Sequence, residues 1–350
     1  MVIETLYIDE THELDAYASK AFDMYFGDGS ICVLDIETTG LAPGNSRFVL
    51  GSLLEVGEGG AANLKQYFAE DVSEERRLLA EYVQEASRHH VILTYNGKNF
   101  DVPFLMSRAE KLGLDGLSLP HNLDLYLVLN GHSALRKILP NLKQKTVEDF
   151  MGLWPHRADR ISGADSARLY LEYMHFKEAG QDVKERVELM LLHNRDDVLQ
   201  LGKLLPVLEK ADLHKAMSAL GFPVASGGRR LTVTGVKFDG NRLKALGVQR
   251  NHPVDYISYG SGSCDCAVRF EKRGSTFELS FPLLRKAGAM IMDLLELPPC
   301  AGDGLSSLPG YGSGYIVLKD GDGVKHLEAN RLIRNFLLMT INELPEVREQ

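Results

Sequence analysis

Ile31-Cys32-Val33-Leu34-Asp35-Ile36-Glu37-Thr38-Thr39-Gly40 is the stretch on which the fold turns. Four apolar residues run into Asp35, an isoleucine separates it from Glu37, and a small polar pair and a glycine follow. An apolar run of that length with β-branched members reads as a central strand. Side chains alternate along a strand, so Asp35 and Glu37 point to the same face. Two carboxylates on one face of a buried strand repel each other, and each is costly to bury as an unpaired ion. A hard divalent cation, which prefers carboxylate oxygens, relieves both costs. The other reading of the pair is a strand end with two solvated acids.

Outward from this strand, Phe48–Val56 reads as a second strand and Asn63–Ala69 as a third, joined by short turns into an antiparallel meander. Ser73–Arg88 is predicted as a helix with Ser73 as its N-cap. Val91–Tyr95 is a short buried strand, Phe100–Gly113 a helix ending at a glycine, and Leu123–Leu125 a fifth strand. From about Tyr126 to Leu220 the pattern is helical. The Gly/Pro/Ser-rich segment Gly221–Gly228 marks a linker, after which the pattern becomes strand-like, with helices expected at Arg285–Leu295 and Ala329–Asn342. The chain therefore divides into a domain over 1–224, whose first 30 or so residues are an extension, and a small α+β domain over 225–350.

The chain has 350 residues, 44% hydrophobic and 25% charged, a soluble composition with room for two domains. No apolar run is long enough to cross a bilayer, and acids stand where a signal peptide carries basic residues, so an intracellular, cytoplasmic protein without membrane contact is expected. The four cysteines are too few and too oddly spaced for a disulfide framework or a zinc site, and are read as reduced thiols. The net charge of −9 argues against a general basic nucleic-acid binder. It is uneven: residues 1–224 carry 23 Lys/Arg against 34 Asp/Glu, whereas 225–273 carry nine against four. Arg229, Arg230, Lys237, Arg242, Lys244 and Arg250 could thus face a polyanion in the second domain.

Two later motifs carry chemistry. Asn96-Gly97-Lys98-Asn99-Phe100-Asp101 leaves a buried strand and places an acid at a helix start; alone, Asp101 is an ordinary first-turn acid. In Leu192-His193-Asn194-Arg195-Asp196-Asp197-Val198, His193 and Asp197 stand four apart and share a helix face with Met190, Leu201 and Leu204. A His and an Asp on an apolar face call for a bonding partner. Asp196, three from His193, is the alternative, and the apolar neighbours favour Asp197.

The order of the three motifs resembles that of the DEDD (DnaQ-like) 3′→5′ exonucleases of the ribonuclease H-like superfamily, over about residues 30–210. The likeness is nearest to the branch with a three-residue gap in the last motif. There the first member is usually tyrosine, and here it is His193. The run is also similar to a bacterial subgroup of ribonuclease H-like exonucleases. The resemblance implies an α/β fold with a mixed five-stranded sheet flanked by helices, and makes Asp35, Glu37, Asp101 and Asp197 ligands of two divalent ions, Mg²⁺ or Mn²⁺. Two such ions can clamp the attacking and leaving oxygens of a phosphodiester. His193 is then the general base, Thr38 and Leu41 contact the terminal nucleotide, and Asn96 and Phe100 shape the pocket. From its charge alone Lys98 could hold a phosphate, the other reading being a solvated face, and Asp124, after strand-like residues, could sit near the site. The expected partner is DNA or RNA at single-stranded ends. The rivals are an endonuclease or resolvase on the same core, and a binding module without catalysis.

Overall fold

The computed structural model describes residues 8–13, 17–27, 29–56, 61–153, 157–158, 163–259 and 265–345. They divide into two compact units, one drawn from 1–18 and 29–211, the other from 19–28 and 212–350.

In chain order the first unit contains β1 (Ile8–Glu13), then, beyond a helix α1 (Lys20–Phe26) that belongs to the other unit, β2 (Ile31–Thr38), β3 (Phe48–Val56), β4 (Ala61–Phe68), α2 (Glu75–Ser87), β5 (Val91–Thr94), α3 (Asp101–Lys111) and β6 (His121–Asp124). The helices α4 (Leu125–His132), α5 (Leu135–Ile138), α6 (Gln144–Phe150), α7 (Gly163–Glu178) and α8 (Lys184–Lys203) complete it. Among the described residues the strand order is β1-β4-β3-β2-β5-β6. Strands β2, β3 and β4 form the antiparallel meander, while β5 and β6 run parallel to β2. The expected five-stranded mixed sheet is present, and β1 extends it by one antiparallel edge strand on β4. The 30-residue extension thus contributes a strand to the sheet, which its mixed pattern did not reveal.

Alternation along β2 sorts the two faces. Cys32, Leu34 and Ile36 pack with Leu78, Tyr82 and Phe104 in a core between the sheet, α2 and α3. On the other face, Val49, Leu50 and Phe68 pack with Tyr170, Tyr173, Met190 and Leu191 of α7 and α8. Asp35 and Glu37 belong to the register opposite Leu34 and Ile36, and so face α7 and α8. Tyr82 locks the strand pair at this point: its hydroxyl donates to the carbonyls of Asp35 and Ser52, both at 3.0 Å. Gly51 makes room for it, because a Cβ there would stand 2.6 Å from the Tyr82 ring. A buried ion pair joins α2 to α3, with Arg108 Nη2 2.6 Å and Nε 2.9 Å from the Glu75 carboxylate. Glu75 also accepts the Phe48 N–H at 2.8 Å. The α-helix starts at Glu75 rather than Ser73, because Asp71 accepts the Ser73 N–H and caps a preceding 3₁₀ turn.

The second unit adds α9 (Leu213–Leu220), β7 (Phe222–Ser226), β8 (Arg229–Asp239), β9 (Arg242–Gln249), β10 (Tyr256–Ser258), β11 (Ala267–Glu271), β12 (Thr276–Pro282), β13 (Leu284–Lys286), β14 (Ala289–Asp293), β15 (Tyr311–Gly312), β16 (Tyr315–Asp320), β17 (Gly323–Val324) and α10 (His326–Glu343). Its two sheets run β10-β11-β12-β9-β8-β7 and β13-β14-β16-β15, with β17 on β16. Two expectations change here. Residues 285–295 form the β13–β14 hairpin instead of a helix, because Ala287 and Gly288 take positive φ angles of 49° and 82° and reverse the chain. The second unit resumes at 212, ahead of the expected 225, because α9 packs on α10 and β8 and β7 pairs with β8.

The cations expected to face a polyanion in this unit are largely engaged. Arg242 pairs with Asp265 at 3.0 Å and Lys244 with Asp239 at 2.8 Å. Arg229 is buried and donates to the carbonyls of His252 and Pro345. Cys266 is disulfide-bonded, contrary to the reading of reduced thiols, while Cys32 and Cys300 are free. Among the described residues no helix is long and apolar enough to cross a membrane.

Candidate active site

One cavity of the first unit, about 800 Å³, lies at the end of β2. Asp35 and Glu37 from β2, Asp101 from the start of α3, and His193 and Asp197 from α8 all line it. Three segments distant in sequence thus bring four carboxyl groups and one imidazole together. Thr38, Leu41, Asn96 and Phe100 line the same cavity. Leu41 is 81% exposed, an apolar side chain held out at the rim.

Each acid is fixed by a different device. Asp35 Oδ2 accepts a hydrogen bond from Asn194 Nδ2 at 2.6 Å. Asn194 Oδ1 accepts from Ser52 Oγ at 2.5 Å, and Ser52 Oγ accepts from Gln66 Nε2 at 2.9 Å. This relay crosses from α8 through β3 to β4 with every member buried beyond Asp35. Glu37 bonds Ser166 of α7. The Asp101 carboxyl accepts backbone hydrogen bonds from its own N–H and that of Ile36. Asp197 Oδ1 stands 2.6 Å from Arg157 Nη1, and Arg157 is itself held by Glu148 at 2.8 and 3.0 Å. Asp197 Oδ2 lies 3.6 Å from His193 Nε2, which is 3.4 Å from Glu37 Oε1.

Burial and mutual repulsion hold Asp35, Glu37 and Asp101 protonated beyond their ordinary range. Burial is the largest cause in each case. Asp35 is raised well above the usual carboxylate range, with Asp197, Asp101 and Glu37 adding repulsion and Asn194 opposing it. Burial pushes Glu37 up to about 8, with the His193 imidazole opposing. Asp101 is pushed up to about 7, its backbone hydrogen bonds opposing. Glu37, His193 and Asp197 offer donor atoms within 4.8 Å of one another, and Asp35 and Asp101 add oxygens to the same cavity. Hard oxygens with one imidazole suit Mg²⁺ or Mn²⁺.

Three expected residues lie off the cavity. Asp124 is buried and accepts the N–H groups of Asn96, Lys98 and Leu127, so it holds the turn that leads into Asp101. Asn96 takes φ 65°, a left-handed conformation that asparagine tolerates well. Lys98 does not line the cavity: this turn is pinned at its backbone and its side chain is exposed. Asp196 accepts the Ala158 N–H at 2.7 Å and stabilises the 157–158 segment. Asn194, Ser52, Gln66, Ser166, Glu148 and Arg157 were not anticipated, nor were Lys143, Gln144 and Lys145, which line the cavity. Ser52, a lone hydroxyl inside the apolar run Phe48–Val56, was the available signal for the relay.

A family model described as the RNase H superfamily matches residues 32–208. Over 54 residues the chain is 44% identical to the DNA polymerase of Thermococcus litoralis, a match covering 15% of this chain and 3% of that protein. Over 49 residues it is 47% identical to DNA polymerase 1 of Pyrococcus abyssi, covering 13% and 6% respectively. The matches thus span only a small fraction of these relatives' lengths. Among solved structures, the family B DNA polymerase of Pyrobaculum calidifontis aligns with TM-score 0.40 and 18% identity over 61% of this chain and 30% of that one. Exonuclease I of E. coli, solved with a dT13 oligonucleotide, aligns with TM-score 0.32 and 12% identity over 62% and 55%. These two structural likenesses are too distant to bear on function.

Proposed function

The chain belongs to the RNase H superfamily, and on that premise we propose that it is a metal-dependent nuclease, a DEDD-type 3′→5′ exonuclease acting on single-stranded ends of DNA or RNA. One observation carries the reading: four carboxyl groups and an imidazole from distant segments line a single cavity, with Asp35, Glu37 and Asp101 driven above their ordinary pKa. Such crowding is costly without a cation, and a pure binder of phosphates gains nothing from it.

In this reading Asp35, Glu37, Asp101 and Asp197 hold the metal. Two divalent ions bound there would supply Lewis-acid stabilisation of the attacking and leaving oxygens of a phosphodiester. His193 accepts the proton of the attacking water, and its position beside Glu37 and Asp197 favours the charged imidazolium that results. Thr38 and the exposed Leu41 contact the terminal nucleotide, and Asn96 and Phe100 shape its pocket. The second unit is an accessory unit with a nucleic-acid contact.

Purified protein with Mn²⁺ should release nucleoside 5′-monophosphates from single-stranded oligonucleotides, and Asp35→Ala should reduce this to background. Activity that survives EDTA, or survives in Asp35→Ala, would remove the basis for the assignment. Cleavage of circular single-stranded DNA would favour the endonuclease alternative.

A further inference from the structure

We propose that Lys143 and Lys145 form a phosphate-binding wall of the acid cavity that takes backbone phosphates of the substrate strand beyond the scissile one. The proposal rests on the nuclease reading above and adds to it the residues that hold the polyanion.

The acids concentrate negative charge where a phosphodiester must come. Metal ions held by those acids would answer the scissile phosphate, and the phosphates further along the strand would need cations of their own. Among the described residues lining the cavity, Lys143 and Lys145 are the only lysine or arginine side chains. Lys143 is exposed and makes no ion pair among the described residues, so its charge is available. The other candidates fail on geometry: Lys98 stands off the cavity, and Arg242 and Lys244 are paired with acids.

The segment carrying the lysines is fixed to the elements that carry the acids. Tyr95, just after β5 and itself a lining residue, donates its hydroxyl to the Leu142 carbonyl at 2.6 Å. Asn141 Oδ1 accepts the Lys143 N–H at 2.9 Å and the Thr146 hydroxyl at 2.7 Å. Gln144, between the two lysines, donates from Nε2 to the Asp197 carbonyl at 3.0 Å and to Glu148 at 2.9 Å. The backbone of the wall is therefore tied to Asp197 itself, while the long lysine stems let the ammonium groups follow a flexible strand. A lysine contact of this kind carries affinity and no sequence information, which suits an enzyme that must process any base.

The test compares wild type, Lys143→Ala/Lys145→Ala and Lys143→Arg/Lys145→Arg in Mn²⁺ on a single-stranded oligonucleotide across a salt series. In the alanine variant KM should rise on the order of tenfold at 0.1 M salt, with the change in KM rather than kcat. The slope of log KM against log salt should flatten by about 1.4, the counterions of two single-strand phosphate contacts. The arginine variant should keep the wild-type slope. Mn²⁺ affinity by calorimetry should be undiminished in both variants. An unchanged KM and slope, or a fall in Mn²⁺ affinity, overturns the proposal. If wild type leaves every oligonucleotide intact, the nuclease reading has failed. Anisotropy of a labelled oligonucleotide in Ca²⁺ then decides the wall alone: a flatter salt slope in the alanine variant sustains it, and an unchanged slope or no binding overturns it.

Discussion

His193 is the residue on which the proposed chemistry is most sharply tested. Its Nε2 stands 3.4 Å from Glu37 and 3.6 Å from Asp197, close enough to act with them as a third metal donor as well as to take a proton. The two roles separate in one variant. As proton acceptor, His193→Asn should lower kcat by about 10²–10⁴ while calorimetric Mn²⁺ affinity stays at the wild-type value. A parallel loss of Mn²⁺ affinity would instead make the imidazole a ligand. Asn194, the next residue, divides its amide between Ser52 and Asp35, so two adjacent positions of α8 serve the site by different chemistry. Asp196 and Asp197 split in the same way: the first anchors the backbone at Ala158, and the second faces the cavity.

At the scale of elements, the site depends on helices being pinned to the sheet by buried polar groups. Arg108 on α3 and Glu75 on α2 are 6% and 4% exposed at their side chains and bond in a bidentate manner. Arg108 also donates to the Pro43 carbonyl at 3.2 Å, so it ties the loop after β2 to the two helices. Removing one partner of such a pair strands a buried charge. Arg108→Met should therefore lower unfolding stability by roughly 3–5 kcal/mol in denaturant titration, and a loss under about 1 kcal/mol would mean that the pair is solvated. Lys143 and Lys145 flank Gln144 at the start of α6, which that residue's amide ties to the Asp197 carbonyl.

The crowded acids set a pH dependence for the whole molecule. In the unfolded chain Glu37 and Asp101 lose their protons near their ordinary values, about 4. In the folded protein they hold them to about 8 and about 7. Between these limits the folded state binds more protons than the unfolded one, so stability falls as pH rises. The contribution is fully present below about pH 4 and is spent once pH passes through 7 and 8. Thermal midpoints in EDTA should thus decline from pH 5 to 8, and Mn²⁺ should raise the midpoint more at pH 8 than at pH 6, since it binds the ionised carboxylates. A midpoint in EDTA that climbs over this range would contradict the raised pKa values. At this scale the second unit is also discontinuous in sequence, being drawn from 19–28 and 212–350. No single cut after 211 or 224 frees the first unit, because α1 remains on it.

The sequence by itself determined the strand that carries Asp35 and Glu37, the antiparallel meander that follows it, the two-residue spacing of those acids and the four-residue spacing of His193 and Asp197. These are local properties: alternation and helical periodicity are written in consecutive residues. It also made the acids at 35, 37, 101 and 197 a set, through the order of three short motifs. Only the tertiary structure decided which neighbours hold them. Asn194, Ser52 and Gln66 lie on three elements, and Arg157 and Glu148 flank a break in the helical region, so nothing in their spacing announces contact. Lys98 beside a motif residue looked like a phosphate ligand, yet Lys143 and Lys145 occupy the cavity wall. Position relative to a cavity depends on how turns and helices close in three dimensions, and short-range periodicity carries no information about that closure.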